Sequence, residues 1–309
     1  MNALSKGYTS TRLGMLSRLS EVNSLLRVYR QGPEKLVCRS IMEALGILEQ
    51  IERVQGKPVR DMDILEIGSG QKSIQLAAMS QGNRAVGIDR ETSNESLSVS
   101  SLLHTVKTDG TVRAAKTMAR KAMGFDRAIR NEFVKQMALE AWPPLNIQKM
   151  DAAKMSFSDS SFDIVFSRAV FEHLENPADV LREIARVIRP GGVFYCLLHL
   201  YSSYSGCHDT RILAGNIGAL PLWAHLRPAH RQKVIENTYL NRLRLREWRY
   251  LLNNALPGVQ VEALMDDSDP NHLAELAEIR ENGELSDYSD EELLTVTLKA
   301  VWRSGSCGA

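Results

Sequence analysis

The chain has 309 residues, 38 lysines and arginines against 37 aspartates and glutamates, and 44% hydrophobic residues. That length can bury a full core, and the near-balanced charge provides neither a nucleic-acid tail nor the excess that keeps chains disordered. Four cysteines (Cys38, Cys196, Cys207 and Cys307) are scattered without a C-x-x-C pair. This argues against a cysteine zinc site or a disulfide framework and fits a reducing compartment. The longest apolar run, "GGVFYCLLHLY" from Gly191 to Tyr201, has the length of a strand and not of a bilayer span. "MNALSKGYTSTRLGML" lacks a signal-peptide core, and its Ser, Thr and Arg content fits a flexible leader as well as a transit peptide. The expectation is a soluble cytoplasmic protein.

In chain order, Leu36, Val37, Ile41, Leu45, Leu48 and Ile51 recur at helical spacing from Pro33 to about Val54, behind a proline suited to a first turn. Strands follow at Met62–Ile67, Arg84–Asp89, Leu145–Met150, Phe162–Ser167 and Gly192–Leu200. Before the fifth, Asn176 can cap a helix that Pro177 opens, with Val180, Leu181, Ile184, Val187 and Ile188 as its stripe. "RPGG", Arg189 to Gly192, ends it. "VQVEALM", Val259–Met265, and "LLTVTLKAVW", Leu293–Trp302, read as two more strands, the latter an antiparallel partner. Acids crowd Asp266 to Glu292, which reads as a solvated connection.

Strands alternating with helices, with the early strands continuously apolar, imply a mostly parallel sheet covered on both faces. Two segments interrupt the pattern, at about 91–144 and 201–257. Both read as helical, and both leave the carboxyl ends of strands, where open α/β sheets bind ligands. The division expected is a leader and packing helix over 1–60, one domain over 61–303 and a tail over 304–309.

The chemistry-bearing stretch is "DILEIGSG", Asp63 to Gly70. A dinucleotide pattern needs a third glycine where Ser73 stands, and no G-K-[ST] follows to make a P-loop. An acid two residues before the turn, Glu66, would repel a pyrophosphate but suits a ligand carrying positive charge. Asp89, ending the second strand, is spaced to accept both hydroxyls of a ribose. Asp151 ends the third strand, where its carboxylate or the Ala152 amide can meet an adenine edge. Three acids at three strand ends describe a nucleoside with a cationic tail.

"DILEIGSG", "AVGIDR", "MDAAKMSFSDSSFDIVFSRAVFEHL" and "IRPGG" together resemble the motif series of class I S-adenosylmethionine-dependent methyltransferases, nearest to the small-molecule branch called type 11. The resemblance covers Asp61 to Arg90 and Leu145 to Leu200. It implies a Rossmann-like, doubly wound seven-stranded sheet with the last strand antiparallel, and S-adenosylmethionine as cofactor. It also implies a cofactor site of Glu66, Gly68, Ser69, Gly70, Asp89, Arg90, Asp151, Ala152, Ser167 and Arg168. Gln71-Lys72 departs from the small or acidic residue usual after the turn.

A sulfonium methyl is already an activated electrophile, so the protein chiefly aligns a nucleophile, and a base matters only for a protonated acceptor. The catalytic candidates are His173 in "FEHLENP" and His199 at the end of the fifth strand, with His208 nearby. His173 either faces substrate or buttresses its loop, and for His199 and His208 the hydrogen-bonded loop histidine is the favoured reading over a catalytic one. Tyr201 and Tyr204 either line a pocket or pack. Ubiquinone-pathway O-methyltransferases bind a divalent metal through E-x-x-E-H at this place. Here Ala169 replaces the first acid, so no metal is expected.

Lys107, Arg113, Lys116, Arg120, Lys121, Arg127, Arg130 and Lys135 make the first insertion basic, and "TYLNRLRLREWRYLL" does the same for the second. Basic insertions suit an anionic substrate, a phosphate-bearing lipid or RNA, although a charge run on a helix is more often a solvated face. The reading is methyl transfer to a small molecule or glycan precursor, oxygen being the preferred atom, with no nucleic-acid partner, no membrane span and no oligomeric state implied. The alternatives are an RNA methyltransferase and a non-catalytic protein that keeps the fold.

Overall fold

A computed structural model describes residues 32–70, 73–90, 124–209, 212, 220–236 and 238–305. The leader, Gln71 and Lys72, Lys107, Arg113, Lys116, Arg120 and Lys121, and Cys307 lie outside the described residues. Among the described residues no helix is long and apolar enough to cross a membrane.

Helix α1 (Glu34–Gln55) stops at Gly56, whose left-handed φ of 74° lets its N–H donate back to the Glu52 carbonyl at 2.8 Å. Its buried face is Val37, Ile41, Ala44, Ile47 and Ile51. That face is rotated from the expected stripe, and Leu45 stays 47% exposed. Then come β1 (Asp63–Ile67), α2 (Ile74–Met79), β2 (Arg84–Asp89), α3 (Phe125–Gln136), β3 (Asn146–Lys149) and β4 (Phe162–Arg168). A 3-10 turn, Phe171–His173, leads to α4 (Pro177–Val187) and β5 (Ile188–His199). The chain closes with α5 (Leu245–Ala255), β6 (Gln260–Met265), α6 (Pro270–Glu281), α7 (Asp290–Leu294) and β7 (Thr295–Arg303).

The seven strands form one sheet in the order β3-β2-β1-β4-β5-β7-β6. β1 to β5 pair in parallel, and β7 runs antiparallel to both β5 and β6. This is the doubly wound, seven-stranded arrangement expected, with β7 as the antiparallel strand. Strand periodicity divides the core in two. Ile64, Ile164, Phe166, Val193 and Tyr195 face α1, α2 and α3, where Ile47, Ala77 and Phe133 meet them. Their neighbours Leu65, Ile67, Val165, Phe194 and Cys196 face α4 and α5, against Leu181, Ile184, Trp248 and Leu252.

Several boundaries differ from the sequence reading. The Asn176 side chain makes no cap, and the Asn176 carbonyl receives the first helical N–H groups instead. Ile188 leaves the helix and pairs with Phe162, so "RPGG" begins β5 instead of preceding it. Leu293 and Leu294 are helical because the Ser289 hydroxyl accepts the Glu292 N–H at 3.1 Å and caps α7. In the second insertion, Ile212 is helical, Arg231–Lys233 is a 3-10 segment and α5 begins at Leu245, while 210–211, 213–219 and 237 lie outside the described residues.

The acidic stretch is not a solvated connection. It contains α6, whose Leu276 and Ile279 pack with Trp223, Leu293 and Leu294 in a third cluster beneath the second insertion. Its acids meet the basic insertion directly. Arg227 pairs with Glu284, Arg244 with Glu292, and Arg249 with Glu291, each at 2.6 Å.

Phe133 is fully buried on α3 and meets Trp142 edge-on at 5.0 Å. Phe133→Ala is therefore expected to lower unfolding free energy by about 3–5 kcal/mol, the usual cost of deleting a buried aromatic. A urea midpoint displaced by much less, at unchanged slope, would mean that α3 is not docked as described.

Candidate active site at the carboxyl edge of the sheet

The strand order reverses between β1 and β4, and the turn after β1 lies at that point. The Gly68 N–H donates to the Ile88 carbonyl at 2.8 Å, which ties the turn to β2. The two glycines have different reasons to be there. Gly68 has φ of 76°, and a Cβ on it would fall 2.2 Å from a Val170 methyl, so the protein's own packing excludes a side chain. At Gly70, φ 62°, the nearest atom to such a Cβ is 3.9 Å away. Only Gly70 leaves open space for a ligand to approach the backbone.

Three polar groups converge on this turn. The Gly70 N–H donates to Asp89 Oδ2 at 2.9 Å, so the carboxylate at the end of β2 already shapes the loop. Glu66 is buried, and its Oε2 accepts no hydrogen bond from any described residue. Burial pushes its carboxyl up to about 8, and the charge of Asp89 adds to the shift. Ser69 is also buried, with a hydroxyl that has no partner among the described residues. Ser73, where a dinucleotide site would have glycine, closes the turn by donating to the Gly70 carbonyl at 3.1 Å.

The other candidate cofactor residues are spread more widely. The Met150 N–H donates to the Asp89 carbonyl at 3.0 Å, which brings the end of β3 beside β2. Asp151 is exposed there, and its Oδ1 accepts the Ala153 N–H at 3.0 Å while Ala152 is buried. Arg90 is exposed at the edge of the described residues. The Ser167 hydroxyl donates to the Ile67 carbonyl at 3.1 Å, joining β4 to β1. Arg168 pairs with Glu43 of α1 at 3.0 Å. Both side chains are engaged within the protein, and the Arg168 charge also acts on Glu172 and His199.

The histidines do meet. His173 in the 3-10 turn after β4, His199 ending β5 and His208 in the following loop form one cluster, with His208 5.0 and 5.4 Å from the other two ring centroids. A carbonyl can only accept, so His173 Nδ1, 2.9 Å from the Tyr239 oxygen, carries the proton and leaves Nε2 as an acceptor. Burial pushes all three imidazoles down, His199 to about 4 and His208 to about 3, with mutual repulsion contributing to both. They are neutral at pH 7.

The residue that sequence reasoning undervalued is Glu172. It is buried at the centre of the cluster, with Oε1 3.4 Å from His199 Nδ1 and 3.9 Å from His173 Nε2. Burial raises its carboxyl to about 7, against the partial relief of its own and His199's backbone N–H groups and the charge of Arg168. Asn241 holds this turn in place. Its side chain donates to the Phe171 and Leu174 carbonyls at 2.8 and 3.1 Å, and its N–H to that of Glu172 at 2.9 Å. Nothing in "TYLNRLRL" marks that asparagine, because its partners are about 70 residues away.

Of the two tyrosines, Tyr201 donates to Glu236 at 3.0 Å beneath Arg242, and Tyr204 packs on His272 with ring centroids 4.2 Å apart. In the first insertion, Arg130 lies over Trp142 at 5.5 Å and Lys135 pairs with Glu132 at 3.5 Å. Arg127 is exposed.

Comparison with known proteins places residues 108–196 in a match to the family described as Methyltransferase domain. That match spans β3, β4, the Glu172–His173 turn and most of β5, and leaves the Glu66–Gly70 turn and Asp89 outside it. A probable S-adenosylmethionine-dependent methyltransferase from Mycolicibacterium smegmatis is 34% identical over 93 residues, 30% of this chain and 35% of that protein. The chain thus matches about a third of that curated relative's length. Among solved structures, YcgJ from Bacillus subtilis aligns over 86% of this chain and 100% of its own at 17% identity and TM-score 0.39. Phosphoethanolamine N-methyltransferase 2 from Haemonchus contortus, in complex with S-adenosyl-L-methionine, aligns over 85% and 52% at 16% identity and TM-score 0.44. The fold assignment rests on strand order and register, not on those scores.

Folded Glu66 keeps its proton to about 8, whereas an unfolded glutamate releases it near the ordinary 4.5. The folded state therefore binds more protons across that window, and this residue's contribution to stability is lost as pH rises from about 4.5 to 8. Thermal unfolding should show the Glu66→Gln variant gaining on the wild type steadily from pH 5 to pH 8.5. A constant difference would mean that Glu66 is ionised throughout. Separately, Gly68→Ala should be destabilising and Val170→Ala should relieve part of that loss, a non-additivity that a double-mutant cycle measures.

Proposed function

We propose that this chain, which carries a methyltransferase-domain match on a seven-stranded class I sheet, transfers a methyl group from S-adenosylmethionine to a small molecule or glycan precursor, with oxygen as the preferred atom. The observation that carries the reading is the turn after β1, where a buried carboxyl with an unpartnered oxygen, an unpartnered serine hydroxyl and an open Gly70 stand together. This fits a nucleoside with a cationic tail. Glu66 would take the amino group, Asp89 the ribose hydroxyls, and Asp151 with Ala152 the adenine edge. When bound there, S-adenosylmethionine supplies an activated methyl on a sulfonium centre.

The protein's remaining task is to orient the acceptor and hold its proton. Glu172 is suited to receive that proton, since a carboxyl lifted to about 7 is half ionised at neutral pH and is a better base than an ordinary one. His173, with Nε2 kept as an acceptor, and His199 can accept hydrogen bonds from the same hydroxyl. Arg227, Arg242, Arg244 and Arg249 of the second insertion are paired with acids, which supports a small acceptor over RNA. Cys38, Cys196 and Cys207 are free thiols, consistent with a cytoplasmic enzyme.

Calorimetry with S-adenosylhomocysteine tests the cofactor site. Binding is expected, and Asp89→Ala should weaken it by about 1–3 kcal/mol, the range for losing a partner of buried polar groups. Unchanged affinity would remove Asp89 from the site, and no binding by the wild type would favour a non-catalytic role. Once an acceptor is found by S-adenosylhomocysteine release, turnover should rise as pH passes through about 7. Glu172→Gln should abolish that rise while cofactor affinity is kept, and His173→Ala should lower turnover on the same terms.

A further inference from the structure

We propose that Glu172, His199 and His208 form a binding site for a divalent transition-metal ion. One ligand atom from each, a carboxylate oxygen and two imidazole nitrogens, lies within 4.8 Å of the other two. Four-coordinate zinc with nitrogen and oxygen ligands at roughly 2.0–2.2 Å spaces those ligands roughly 3.3 Å apart. The His199 Nδ1–Glu172 Oε1 separation is already 3.4 Å. Closing the site then requires a movement on the order of 1 Å by the third ligand, His208.

The carboxylate is the second, independent indication. Glu172 is 2% exposed, and neither oxygen has a hydrogen bond of normal geometry, with the Glu172 and His199 backbone N–H groups as the nearby backbone donors among the described residues. An ionisable group buried in this way ordinarily has a hydrogen-bonding partner or a metal. What faces it is a set of imidazoles, and His173 adds a further one, with Nε2 3.9 Å from Oε1 and Nδ1 donating to the Tyr239 carbonyl. An imidazole oriented by a carbonyl on its far nitrogen is the arrangement that surrounds metal centres.

The backbone is shaped to bring the third ligand back. After β5 the chain runs through successive turns, with the Ser203, Gly206 and His208 N–H groups donating to the Leu200, Ser203 and Ser205 carbonyls, respectively, each at 3.1 Å. A Cβ on Gly206 would fall 2.2 Å from the Tyr201 carbonyl oxygen, so the loop closes this tightly only with glycine. His208 itself has a φ of 55°, a left-handed conformation uncommon for a residue with a side chain. The loop is anchored beyond it by the Ile235 N–H donating to Asp209 at 2.9 Å.

Two imidazoles and one carboxylate suit zinc, iron, cobalt or nickel in preference to magnesium or calcium. With three protein ligands the ion would keep a position open to water or an acceptor oxygen. In the metal-loaded chain Glu172 would serve as a ligand while the ion, in place of a free carboxylate, eased loss of the acceptor's proton, a role that rests on the function proposed above. The metal site itself stands on the cluster alone.

The test uses the full chain, stripped with a chelator and titrated with Zn²⁺ against a chromophoric competitor, and with Co²⁺ followed by its visible absorption. One ion per chain at micromolar or tighter affinity is expected, weakened at least about tenfold by His208→Gln and by Glu172→Gln. His272→Gln, outside the cluster, should bind as the wild type does. Because Glu172→Gln could disturb folding, far-UV circular dichroism accompanies each variant, and His208→Ala in the loop serves as the second probe. Absence of stoichiometric binding, or equal affinity in wild type and both His208 variants, overturns the site. S-adenosylhomocysteine calorimetry on the same samples separates the two proposals, since metal binding without nucleoside binding would leave this one standing and remove the other.

Discussion

Adjacent residues of a strand must send their side chains to opposite faces, and in this chain that alternation organises everything else. Ile64 and Leu65 enter different cores, as do Val165 and Phe166, and Val193 and Phe194. With both faces of the sheet covered by helices, solvent and ligands can reach the inner strands only at their ends. Five parallel strands put their carboxyl ends on one edge. The groups that end those strands, Glu66, Asp89, Arg168 and His199, are gathered there by the same rule that builds the core.

That edge carries two kinds of polar burial. At the turn after β1, Asp89 is spent partly on the protein itself, since it fixes the Gly70 amide. Glu66 is not used in this way, and its burial without a partner for Oε2 disfavours the charged form. At the ends of β4 and β5, Glu172 repeats the situation among neutral imidazoles. Both carboxyls are destabilising in isolation and favourable only toward a group that brings charge or a proton. Two such positions share one edge, one beside the glycine turn and one beside the histidines.

The second insertion is held by charge as much as by packing. The arginines at 227, 244 and 249 meet glutamates at 284, 292 and 291, and Arg244 also stacks on Tyr288 at 4.1 Å. Glu292 is buried, so its pair with Arg244 is more consequential than the exposed ones. This arrangement fixes α5 and the Asn241 segment against the Phe171–His173 turn. It converts a stretch that looks basic into a wall with most of its charge answered internally.

How far the sequence could be read follows from range. Strand and helix positions are set by periodicity and by short-range signals such as Pro177 and Gly56, so the five parallel strands, the antiparallel strand and the glycine turn were legible in the residues. Boundaries slipped where a cap or register had to be formed by partners, as at Ser289 and Ile188. Glu172 drew little notice because its importance depends on His199 and His208, which reach it from β5 and from a loop bent by Gly206. The resemblance puts Gly68 in a cofactor site, whereas what excludes a side chain there is Val170, about a hundred residues on. Local chemistry by itself determined the elements, the order of acids along the chain and the glycine turn after β1. Only tertiary structure decided which of those groups are buried without partners and which arginines are neutralised, because burial and pairing arise from contacts between segments that no local pattern encodes.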